Sequence, residues 1–343
     1  MNQPPPNKSN SPVTLGRRAA LGSAGLATLT AWLARPLQGL ADDPPETPPE
    51  KPIEQPAEKT NTQPQQPAPP SDTPPPYLDR IGLQLYTVRD QMAEDPATTL
   101  KAIAAAGYKQ VELMKINRDS LQIAAIARDN GLMVHSGFLD WRTIATPSAD
   151  GVMPVEQTVE MAERIGLRHV VFGYIDRKSR ETADQCKAIA ERANQAARRT
   201  RDAGMRMAYH NHSFEFAKLP GADKAAYDIF IERFDPQLMD FELDVFWAKL
   251  GGRDPLDLMK HLAGRITMLH LKDLKAGVGV IYDEGNVPED AFQECGDGVI
   301  DLPGVMRLGK EIGVQECHVE QDESPAPLES IVQSYQFLSG KKA

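Results

Sequence analysis

The sequence predicts a (β/α)₈ barrel, carried behind an amino-terminal stretch of different character that ends near residue 76. Three observations lead there. From residue 77 to 343, short apolar runs alternate with helix-length segments, a pattern that implies parallel strands joined by right-handed crossovers. The runs number eight and the length suits one closed barrel better than an open sheet. A glycine stands repeatedly between a helical segment and its neighbouring run, at Gly107, Gly131, Gly166, Gly204 and Gly313, where a helix commonly ends in a left-handed residue.

Before the barrel, Arg17-Arg18 directly precedes a mildly apolar run over 19–34, followed by Arg35 and then Gly39-Leu40-Ala41. These are the basic, apolar and small-residue regions of a twin-arginine export signal over 1–41, cleaved after Ala41. The run is shorter than the roughly 20 residues a spanning helix needs, and no cysteine follows for a lipid anchor. The expected location is periplasmic or extracellular, with the twin-arginine machinery as a partner and no stable membrane insertion after cleavage. Residues 42–76 are crowded with Pro, Glu, Gln, Lys and Thr and hold little apolar beyond Ile53. That composition predicts a disordered Pro-rich linker; its PxxP spacings would also suit a Pro-recognising partner.

The formal net charge of -10 argues against a nucleic-acid surface. Only Cys186, Cys295 and Cys317 occur, too few for a disulfide framework or a thiolate metal site. A Cys295–Cys317 bridge is compatible with export, but free buried thiols are the simpler expectation.

The eight expected strands cover 81–86, 110–113, 132–136, 169–172, 205–210, 239–244, 266–270 and 316–320. Helices lie between them: one opens with Asp95 as cap and Pro96 in its first turn, and another, over 182–203, is long and rich in Ala and Arg.

A parallel barrel carries its chemistry where the strands end at their carboxyl side. Read on one parity, those ends present Gln84 and Tyr86, Glu112, His210 with His212 beyond it, Glu242 and Asp244, His270 and Lys272, and His318 and Glu320. Core strands should be apolar inside, so this density of ionisable groups calls for a function. His210, Asp244, His270 and Glu320 form a nitrogen and oxygen set, one from each of four successive strands. It suits one divalent ion of the Mn²⁺, Co²⁺, Mg²⁺ or Zn²⁺ kind with positions open to substrate oxygens. Such an ion would polarise a carbonyl and stabilise an enediolate, with proton transfer by Glu320 and one of Glu112, His212 or Lys272. Each residue also has a plainer reading: a strand-end histidine can be structural, and Asp244 can cap the next helix.

At these residues the sequence resembles the xylose isomerase-like TIM-barrel superfamily of sugar isomerases and epimerases, which includes barrels of the AP endonuclease family 2 type. The resemblance covers most of 77–343. It rests on Ile81-Gly-Leu-Gln-Leu-Tyr-Thr-Val-Arg89, Gly107-Tyr-Lys-Gln-Val-Glu112, Tyr209-His-Asn-His212 with Phe214-Glu215-Phe216, Asp244-Val-Phe-Trp247 with Gly252 and Asp254-Pro255, Leu269-His-Leu-Lys-Asp273, Gly296-Asp-Gly-Val-Ile300, and Val319-Glu-Gln-Asp322. It implies a divalent metal held at the positions of Asp244, His270 and Glu320. One departure matters: many of these epimerases carry a glutamate where this sequence has His210. That substitution removes one carboxylate from their symmetric two-base scheme, and Tyr209-His-Asn-His212 looks similar to inosose dehydratases and keto-glycoside lyases.

Among the remaining features, Trp141, Phe138 and Trp247 suit either stacking on a sugar or sealing the barrel mouth, and Trp141 and Trp247 join Gln84 and Tyr86 as expected substrate contacts. Arg89 could meet a substrate anion or pair with Asp90 or Asp95. The segment 274–301 is long enough for a lid. Gly277-Val-Gly279 lacks the spacing of a dinucleotide fingerprint. The leading expectation is a metal-dependent isomerase or epimerase of a free sugar or keto-sugar acting through an enediolate. The alternatives are a 3-keto-glycoside lyase, hydratase or inosose dehydratase-like enzyme on the same metal, and a non-catalytic sugar-binding barrel. A small-molecule carbohydrate is the expected partner, and a homo-oligomer is compatible with the sequence.

Overall fold

The computed structural model describes residues 77–340. The expected export signal and Pro-rich linker lie outside the described residues. No described helix is long and apolar enough to cross a membrane.

In chain order the strands are β1 (Gly82–Gln84), β2 (Gln110–Leu113), β3 (Met133–Phe138), β4 (His169–Phe172), β5 (Arg206–His210), β6 (Met239–Asp244), β7 (Ile266–Leu271), β8 (Asp273–Leu274), β9 (Phe292–Gln293) and β10 (Glu316–Val319). Eight of them close into an all-parallel barrel in the order β1-β10-β7-β6-β5-β4-β3-β2, while β8 and β9 form a short antiparallel ribbon on the loop after β7. All five helix-stop glycines have φ between 77° and 112°. Asp95 caps its helix by accepting from the Ala97 and Thr98 N–H groups, with Pro96 next, as its sequence implies.

The first strand is shorter than expected. The Gln84 side chain accepts the Tyr86 N–H, the chain turns into a 3₁₀ helix (Leu85–Val88), and Tyr86 is left 42% exposed at the barrel mouth. The last strand likewise stops at Val319, so Glu320 sits just beyond it. All three cysteines are buried thiols outside any disulfide, so Cys295 and Cys317 are not bridged.

Alternation along each strand sets two environments. Outward side chains pack against the helices in one large apolar core; Tyr209, for example, meets Phe230 of the helix Ala226–Arg233 and Phe234 at its end, at 4.9 and 5.4 Å. Inside the barrel the apolar material is a small plug of Val171, Ala208 and Met268 with Phe138 against it. The rest of the interior is polar, and register fixes where: Asp244 lies beside His270, His270 beside His318, and His210 beside Glu242.

Candidate metal centre and active site

His210, Asp244, His270 and Glu320 converge at the carboxyl end of the barrel, each offering one ligand atom, all within 4.8 Å of one another. His270 Nδ1 is 2.8 Å from Glu320 and 3.8 Å from Asp244, and His210 Nε2 is 3.9 Å from Asp244. Asp244 answers both of its sequence readings. Its Oδ1 accepts the Trp247 N–H at 2.9 Å and caps the following helix, while its buried Oδ2 faces the cluster, with the Lys272 ammonium 3.2 Å away as its counter-charge. Asn211 pins the neighbouring strand ends together: its side chain donates to the Asp244 carbonyl (3.2 Å) and accepts the Asp244 N–H (3.1 Å).

A second polar layer lies beneath. Glu112 accepts from Gln84 Nε2 at 2.8 Å and from His270 Nε2 at 2.7 Å, with Glu242 3.3 Å from the same nitrogen. With Nε2 turned to Glu112, it is Nδ1 of His270 that faces Asp244 and Glu320, and loss of its proton would free a lone pair there for a metal ion. A mixed nitrogen and oxygen donor set, with its ligand atoms gathered within 4.8 Å, and an oriented imidazole together fit a divalent cation.

The family profile described as xylose isomerase-like TIM barrel matches residues 100–339. The chain belongs to that family. Inosose dehydratase from Clostridium tetani is 26% identical over 172 residues, covering 47% of this chain and 56% of that protein. Its counterpart from Geobacillus kaustophilus is 29% identical over 154 residues, 43% of this chain and 49% of that one. The chain therefore spans about half the length of the curated relatives it matches. Among solved structures, a sugar phosphate isomerase/epimerase from Parabacteroides distasonis superposes with a TM-score of 0.63 at 24% identity, over 76% of this chain and 93% of its own. An L-ribulose 3-epimerase superposes at 0.55 with 16% identity, over 76% and 94%. At these identities the superpositions establish the shared fold.

In this xylose isomerase-like barrel a cavity of about 520 Å³ opens above the cluster. Gln84, Tyr86, His210, His212, Trp247, Lys272 and Glu320, all singled out in the sequence, line it. Glu112 does not; it is fully buried under His270, which removes it from reach of a ligand in the cavity. Trp141 is also set back, meeting Tyr174 edge-on at 5.8 Å, and Tyr174 and Phe138 take the wall positions. Arg89 pairs with neither Asp90 nor Asp95: it donates to the Asp322 carbonyl at 2.5 Å and to Glu323 at 3.0 Å.

Charge in the cavity floor is strongly polarised. Lys272 is buried, which would favour the neutral amine, but Asp244 (3.2 Å), Asp322 (2.6 Å) and Glu320 (2.8 Å) keep it firmly protonated. Burial would raise the Glu320 carboxyl, yet Lys272 and His270 outweigh it and hold Glu320 below the usual carboxylate range. Asp322, buried and sharing the ammonium with Glu320, is instead pushed up to about 6. His212 goes the other way: burial, then the neighbouring His210, hold it well below the ordinary imidazole value, and it is neutral at neutral pH. Its ring stacks on Phe214 at 5.3 Å and leans on Trp247 at 5.2 Å.

Asp322 and Glu284 were not singled out from sequence. Asp322 shares the parity of Glu320, and that signal was available. Glu284 lies on the 274–301 segment, where no periodicity predicts direction.

Proposed function

We propose that this barrel is a metal-dependent isomerase or epimerase of a carbonyl-bearing carbohydrate. The observation that carries the reading is the convergence of His210, Asp244, His270 and Glu320 under a cavity that holds an ionised carboxylate and a neutral imidazole together. A divalent cation held by those four residues would supply Lewis acidity toward a carbonyl and its neighbouring hydroxyl. Of the four, His210 and Glu320 line the cavity. Glu320 is the residue placed to take a proton from carbon, and Lys272, 2.8 Å from it, holds that carboxylate ionised before the transfer. His212 is the proton carrier on the other side, donating to or accepting from substrate oxygen. Glu112 acts through His270, as a positioning residue. Trp247 and Phe138 give the ring a dry wall.

His210 and the likeness to inosose dehydratases support a second reading, elimination of water or of a glycosidic substituent next to a ketone, with the same Glu320 removing the proton. Incubation of the metal-loaded protein with aldo- and keto-sugars in D₂O separates the two. Isomerisation or epimerisation places deuterium on the carbon next to the carbonyl, and Glu320→Gln slows it by about 10²-fold or more. Loss of water, or release of an aglycone from a keto-glucoside, decides for elimination. Neither product with any sugar would leave the enzymatic reading without support. The export reading is a separate proposal, checked by whether the mature protein begins at Asp42.

A further inference from the structure

We infer that the cavity takes an uncharged carbohydrate and turns away its phosphate ester. The inference rests on the proposed function and adds the chemical class of the substrate. Five carboxylates line the cavity, from Glu284, Glu289, Glu320, Asp322 and Glu323, and the one lysine or arginine among its described lining residues is Lys272. That ammonium lies within 3.2 Å of Asp244, Glu320 and Asp322 and has no charge to spare for a ligand.

Two arginines that hold carboxylates of the cavity lining are consumed in the same way. Arg89 holds Glu323 at 3.0 Å and the Asp322 carbonyl, with its guanidinium 4.5 Å over the Tyr86 ring. Arg180 holds both oxygens of Glu284, at 2.8 and 3.2 Å, and donates its Nε–H to the Ile175 carbonyl. Its other face covers the Phe214 ring at 3.5 Å. Both guanidinium groups are already committed to protein oxygen atoms. A phosphate group would bring about −1.5 to −2 further charges into a half-enclosed space already walled by carboxylates, where like charges repel most strongly. Hydroxyls meet no such barrier: carboxylates accept from them, and Phe138, Trp247 and Phe292 provide apolar surface for the C–H face of a ring.

Calorimetric titration of the Mn²⁺-loaded full chain with matched pairs of ketose or aldose and its terminal phosphate tests this without relying on turnover. The expected result is binding of the free sugar at least about tenfold tighter than its phosphate. Glu323→Gln releases Arg89 and Glu284→Gln releases Arg180; each variant is expected to narrow the gap severalfold by strengthening the phosphate ester. Equal or tighter binding of the phosphate by the unaltered protein overturns the inference and leaves the carbohydrate reading standing, as does a gap that neither variant changes. Binding of no member of either series overturns the carbohydrate reading itself and this inference with it.

Discussion

The carboxyl of Glu215 shows how a single buried group sets a measurable property. It is fully buried beside the site, near the Tyr209 hydroxyl at 2.6 Å and accepting the His212 N–H at 2.8 Å, and it thereby fixes the backbone that presents His212. Burial raises its pKa to about 8 from an ordinary 4.5, against the pull of those hydrogen bonds. The folded protein therefore keeps a proton that the unfolded chain releases near 4.5. Its contribution to stability is greatest below 4.5, falls as pH rises toward 8 and levels off beyond, by an amount on the order of a few kcal/mol. Glu215→Gln should flatten that decline, since the amide keeps the shape and cannot ionise. Denaturant melts at pH 5, 6.5 and 8 check it; parallel slopes in both proteins would show that Glu215 is not the group responsible. The sequence placed Glu215 near the site but could not reveal its burial, which depends on Tyr209 and the helices behind it. Asp244 was equally ambiguous in sequence because ligand and cap use the same side chain, and the fold lets its two oxygens do one each.

Strands and helix ends were legible because their signals are local. Periodicity and stop glycines marked the eight barrel strands; β3 runs two residues further than expected, β5 and β7 shift by one, and where β1 and β10 stop short a side chain takes a following N–H group, Gln84 that of Tyr86 and Thr87 that of Gln321. Gly82 illustrates a requirement visible only in three dimensions: a Cβ there would sit 2.5 Å from the His318 ring and 2.6 Å from the Gln110 side chain, inside the barrel. Gly82→Ala should cost about 1–3 kcal/mol by overpacking, read as a lower denaturation midpoint, and a neutral result would mean that His318 can move. The 274–301 segment was the least legible element, being long and without period. It is held at its base by Asp273, whose oxygens accept four N–H groups, from Leu274 (2.9 Å), Gly296 (2.9 Å), Gly298 (3.1 Å) and Ile300 (3.0 Å). At its far end Glu284 meets Arg180 and Tyr174 over the cavity. Asp273→Ala strands those donors, so a loss of about 2–4 kcal/mol and new protease cleavage within 274–301 are expected. Unchanged cleavage would show that the Glu284 contacts alone hold the segment.

Across the whole barrel, the interior concentrates negative charge. Glu112, Glu242, Asp244 and Glu320 surround His270, none more than 7% exposed. Lys272 is shared with Asp322 and cannot balance them all. Nearby carboxylates outweigh burial to raise both His270 and His318 above the ordinary imidazole value, so without a cation the barrel keeps protons on these two histidines. A divalent ion at the upper cluster would relieve the same repulsion and would have to displace protons to do so, which would couple metal binding to fold stability and make it stronger at higher pH. At an ion concentration a hundredfold above Kd the gain is about 2.7 kcal/mol, roughly 5–10 °C in Tm for a domain of this size. Chelator-stripped protein should therefore melt lower than protein supplied with Mn²⁺, with a larger difference at pH 8 than at pH 6. Asp244→Asn should lose most of the gain, because it removes one of the two carboxylate charges of the four-residue cluster. Melting curves insensitive to Mn²⁺, Co²⁺, Mg²⁺ and Zn²⁺ at both pH values would mean that the histidines, protonated, are the permanent counter-charge of the barrel.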